Sequence, residues 1–144
     1  MLDSKLVDYF KNKGWWLEKI PPKYAEVIKS LDVPTDSSFA QFFLQVEDGP
    51  TFIGKGPELY QICWFSLYST YRYDLVRTHE SLNLPKSYLP LDSFEGEWGF
   101  FYDRETGKVL EIELGTNGLE AINEFSDFND FLSWYFDVSL AEQS

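Results

Sequence analysis

Basic residues are scarce in this chain of 144 residues: 12 Lys and Arg stand against 24 Asp and Glu, for a formal net charge of −12. Direct binding to nucleic acid needs a basic footprint over the phosphates, so that class is excluded. Cysteine and histidine occur once each. A lone Cys63 permits no internal disulfide, which fits a reducing cytoplasm. It sits in an apolar, strand-like run over 61–65 with no electropositive neighbour in sequence, and no serine occupies a nucleophile elbow, so His79 has no nucleophile to serve as a base. One His and one Cys do not make a zinc set either. No run of about 18 apolar residues is present, and the N-terminus MLDSKLVDYFKNKG lacks the apolar core of a signal peptide. A soluble, unexported, cytoplasmic protein without cofactor or metal, and with no membrane association, is expected.

Carboxylates are plentiful but form no recognisable catalytic motif. Glu47, Asp48 and Gly49 do not continue into a calcium loop. With 24 acids, some pair falls at glycosidase spacing by chance. Gly54, Lys55 and Gly56 lack the flanking elements of a phosphate loop and read as a turn.

Aromatic side chains make up 19 % of the chain, enough to fill one core and leave some for a binding surface. The length fits one domain over residues 1–144. Leu2, Leu6, Val7 and Phe10 predict a short helix that Gly14 ends. Pro21 and Pro22 open a second, over 23–31. Thr35, Asp36 or Ser37 caps a third, carrying Phe39, Phe42, Phe43 and Val46. Short extended runs follow at 51–53 and 59–65. A helix is predicted over 66–80, an irregular stretch over 85–90, a short extended piece over 119–122, and a last helix capped by Ser126 with Phe128, Phe131, Leu132, Tyr135 and Phe136 on one face. The last four residues, 141–144, read as a loose tail. The result is an α+β domain, an antiparallel sheet with helices packed on it.

The clearest local structure is the hairpin over 92–114, DSFEGEWGFFYDRETGKVLEIEL, with its turn at Arg104, Glu105, Thr106 and Gly107. Pairing Asp103 with Lys108 sets Phe101 opposite Leu110, Phe100 opposite Glu111, and Trp98 opposite Glu113. One face is then apolar through Phe101, Leu110, Ile112 and Leu114. The other mixes Trp98, Phe100, Tyr102 and Val109 with two glutamates, and a slip of one residue would exchange the faces.

Charge is concentrated here. Residues 92–144 hold 13 acids against Arg104 and Lys108, a net of −11, whereas residues 1–91 are nearly neutral at −1. Such a single-sign field speeds encounter with a basic partner. Asp92, Glu95, Glu97, Asp103, Glu105, Glu111, Glu113, Glu120, Glu124 and Asp127 are therefore candidate contacts, with Trp98 and Phe100 as aromatic anchors.

Three stretches carry a family resemblance: PPKYAEVIKSLDVPTDSSFAQFFLQVEDG, LPKSYLPLDSFEGEWGFFYDRETGKVLEIEL and FSDFNDFLSWYF. Together they resemble the SUKH superfamily (SMI1/KNR4 type) over about residues 20–138. The resemblance implies an α+β fold with a bent antiparallel sheet. It also implies a non-enzymatic bacterial immunity protein that binds and blocks a cognate toxin domain of a polymorphic or contact-dependent system, expected to be a basic nuclease met in a 1:1 complex. A regulatory scaffold like the fungal members of the family is the first alternative, and a carboxylate-dependent hydrolase the second.

Overall fold

A computed structural model describes residues 1–140, so the tail over 141–144 lies outside the described residues. Three helices come first: α1 Ser4–Lys13, α2 Pro22–Ser30 and α3 Ser38–Gln45. Their ends follow the residues that signalled them. Gly14 closes α1 in the left-handed region at φ 78°, Pro22 starts α2, and the Ser37 hydroxyl caps α3 by accepting the Ala40 N–H at 3.1 Å.

A two-stranded ribbon, β1 Thr51–Phe52 with β2 Leu59–Tyr60, leads into α4 Ile62–Tyr68 and α5 Tyr71–Val76. Here the chain departs from the expected strand over 59–65 and helix over 66–80. Gln61 is fully buried. Its amide donates to the Phe43 and Val46 carbonyls at 2.9 and 2.8 Å, while its side-chain oxygen accepts the Cys63 N–H at 2.9 Å. One side chain thus satisfies the end of α3 and starts α4, which turns an apolar run into a helix. Cys63 consequently lies in α4. The next helix breaks at Ser69 and Thr70, and α5 runs on into a π-helical turn, Arg77–Ser81.

The second sheet is an antiparallel meander in chain order: β3 Tyr88–Pro90, β4 Trp98–Asp103, β5 Val109–Gly115 and β6 Gly118–Phe125. β3 falls in the stretch expected to be irregular, because Leu89 and Pro90 pair with Tyr102 and Phe101. The β4–β5 register is the expected one, with Phe101 opposite Leu110 and Trp98 opposite Glu113. β6 is longer than expected, and the register shift between Glu111 and Ile112 leaves Ile122 as an extra residue on this strand. Helix α6, Phe128–Phe136, is capped by Asp127 rather than Ser126: the Asp127 carboxylate accepts the Asp130 N–H at 2.8 Å. Among the described residues, six α-helices and two antiparallel sheets make an α+β fold, and no helix is long and apolar enough to cross a membrane.

The packing of α3 and α6 decides which sheet face is the core, a question the register alone leaves open. The mixed face is the inner one: Phe100, Tyr102 and Val109 join the main core with α3 and α6. The uniformly apolar face packs a smaller outer cluster of Phe94, Phe101, Leu110 and Ile112, flanked by Leu82 and Leu84 from the loop after the π turn and by Tyr88 and Leu119 from β3 and β6. Both faces are apolar because both are covered over part of their length.

Candidate acidic docking face

The inner face of the sheet changes character row by row. Across β4, β5 and β6 the first row is Tyr102, Val109 and Phe125; the next is Phe100, Glu111 and Asn123; the last is Trp98, Glu113 and Glu120. Helix α6 covers the apolar end, with Phe131 and Trp134 packing on Phe100 at centroid distances of 5.0 and 5.6 Å. The acidic end projects past that cover: Trp98 and Glu113 are half-buried and Glu120 is exposed. The Trp98 indole N–H donates to the Glu111 carboxylate at 2.6 Å, which fixes both side chains. Beside Trp98 opens a groove of about 420 Å³ lined by Thr51, Pro57, Glu58, Tyr60, Ser93, Glu95 and Gly96.

Beneath this end lies a buried carboxylate. Asp92 is 1 % exposed; its two oxygens accept the N–H groups of Phe94 at 2.8 Å and Phe100 at 2.7 Å. These bonds hold the turn over 93–98, in which Phe94, Gly96 and Glu97 all have positive φ. Desolvation pushes the Asp92 carboxyl up to about 7, against the downward pull of the Phe100 and Phe94 N–H donors. The folded protein therefore keeps a proton that the unfolded chain releases near pH 4. Stability is expected to fall as pH rises from about 4 to 7, by up to about 1.4 kcal/mol per pH unit, and to level off above that window. Asp74, also raised by burial, contributes in the same direction. Urea midpoints measured across this range should show a shallower slope for Asp92→Asn; an identical slope would remove Asp92 as its source.

The candidate contacts thus separate. Trp98, Glu111, Glu113, Glu120 and Glu95 gather at one end of the inner face. Asp92 and Phe100 are buried, with nothing to offer a partner's surface, and leave the set of contact residues for that reason. Asp103 organises the hairpin turn at the opposite end, accepting the Glu105 N–H and the Thr106 hydroxyl, both at 3.0 Å, while Glu105 is exposed beside it. Glu124 faces outward, 3.5 Å from the Lys108 ammonium, and Asp127 is occupied as a cap. Glu97 lies on the outer side of the 93–98 turn. Glu58 was not singled out in sequence because it reaches the groove only through the β1–β2 loop, and no local pattern signals that.

No family model, curated protein or solved structure matches this chain.

The nucleophile-like groups are tied into structure. Burial, with Glu47 adding to it, pushes the Cys63 thiol up to about 12, so it is not a thiolate at neutral pH. His79 places Nε2 2.7 Å from the Tyr88 carbonyl and so pins the π turn to β3. Among the described residues, no group of three or more His, Cys, Asp or Glu could hold a metal ion.

Proposed function

We propose that this protein is a binding protein of the immunity type, which neutralises a basic toxin domain, a nuclease being the best fit, by docking it on the acidic end of the inner sheet face. The observation that carries this reading is the row Trp98, Glu113 and Glu120, flanked by Glu111 and Glu95: a half-buried aromatic among carboxylates with no salt bridge among the described residues. A nuclease cleft is basic because it holds phosphates, and a fixed carboxylate row can take the place of the backbone. The resemblance of residues 20–138 to the SUKH superfamily supports the same role. A cytoplasmic location follows from it, since that is where an immunity protein meets an incoming toxin.

Charge reversal tests this directly. Glu113→Lys with Glu120→Lys should slow association with a cognate basic toxin domain by roughly ten- to a hundredfold at low salt and flatten the salt dependence. The same variant should fail to protect cells. An unchanged association rate with full protection would move the interface off this face.

A further inference from the structure

The outer side of the same sheet end holds a second feature, an open groove of about 770 Å³ whose walls include Leu82, Leu84, Phe94, Leu114 and Leu119. It continues the small outer cluster to the surface, and Leu114 is left 46 % exposed in it. Two charged residues line it. Arg77 is engaged through one nitrogen: its Nη1 donates to the Ser93 carbonyl at 2.9 Å and lies 3.4 Å from the Asp74 carboxylate, with the guanidinium 6.0 Å above the Phe94 ring, while Nε and Nη2 are buried without a hydrogen-bond partner among the described residues. Glu97 is exposed and no salt bridge among the described residues engages it.

We infer that this groove receives an apolar side chain presented by a basic polypeptide, so that the partner grips the 93–98 turn from both sides. The inference deepens the reading given above, adding an apolar anchor on the outer face to the acidic row on the inner one. Charge selects the occupant. A net charge of −12 on each copy opposes a second molecule of this chain. An anionic ligand would meet the exposed Glu97 at the groove and the net charge of −12 behind it, and the Arg77 guanidinium is buried at Nε and Nη2, with its Nη1 beside Asp74. An apolar side chain flanked by Lys or Arg removes Leu114 and Phe94 from water and places its cations beside Glu97 and, across the turn, Glu95. The turn suits such a grip because Asp92 fixes it from beneath through two backbone N–H groups.

The test uses a defined probe, a nine-residue peptide with one Phe between four Lys in a Gly background, titrated against the full chain while the methyl resonances of Leu82, Leu84 and Leu119 are followed. Saturable shifts are expected. They should weaken about tenfold or more when the Phe becomes Ala or when the Lys residues become Glu. Leu114→Glu is the discriminating variant: it adds a negative charge yet should weaken binding about tenfold, because it makes the groove polar. Binding of Leu114→Glu equal to or tighter than that of the parent would overturn the inference in favour of charge alone. Equal binding of the Glu peptide, or shifts that depend only on protein concentration, would overturn it in favour of a charge-blind pocket or a second copy. Should Leu114→Glu fail to fold, Glu97→Lys and the peptide series still decide. Failure here with continued loss of protection in Glu113→Lys/Glu120→Lys would remove the groove and leave the acidic face standing.

Discussion

Gly99→Ala is expected to destabilise the protein by about 3 to 5 kcal/mol, a large share of the stability of a domain this size. A Cβ at position 99 would lie 2.3 Å from Asp92 Oδ1 and 3.0 Å from its Cγ. The carboxylate cannot simply swing away. It is buried and bonded to the N–H groups of Phe94 and Phe100, and leaving each of those buried groups unpaired would cost about 1 to 3 kcal/mol. Either those bonds break or β4 shifts off β5. Because the clash is with one named side chain, the cost should be strongly non-additive: in an Asp92→Ala background, Gly99→Ala should cost little, since the space is vacated. Urea denaturation of the two single variants and the double would show this. Simple additivity would mean that the clash is relieved elsewhere.

Phe100→Ala should cost about 3 to 5 kcal/mol as well, for a different reason. Phe100 is fully buried and its ring meets Trp98, Phe125, Phe131 and Trp134 within 6.3 Å, so truncation opens a cavity between the sheet and α6. Trp98→Ala touches only the half-buried end of the same strand and removes the indole bond to Glu111. The two neighbours should therefore divide. Phe100→Ala should lower the denaturation midpoint while the folded fraction binds the proposed basic partner normally; Trp98→Ala should shift the midpoint less and, if the proposed docking face is the interface, weaken binding by tenfold or more, as loss of an interface anchor does. Equal binding losses for both at full occupancy of the folded state would contradict the separation of core from contact along β4.

Much of the framework was legible in the chain because it is set locally. Gly14, Pro22 and Ser37 mark helix ends through backbone conformation or a single cap, and Gly107, at φ 78°, closes the hairpin turn that fixes the β4–β5 register. The α+β class follows from the order of such elements. Charge asymmetry is also a property of sequence alone, since counting needs no coordinates.

Tertiary structure decided everything that depends on what covers what. A correct register left the roles of the two hairpin faces open: α6 lies over Phe100 and Tyr102, so a face bearing two glutamates became the main core, with Glu111 held by the Trp98 indole and Glu113 in the last row with Trp98 and Glu120. Gln61 turned an apolar run into a helix by satisfying carbonyls of α3, residues 15 and 18 positions away. Asp92, one acid among many in the chain, became a buried clamp because Gly99 leaves room for it. Alternation and propensity report what a segment prefers; burial and hydrogen-bond partners come from residues distant in sequence, and only the folded chain supplies them.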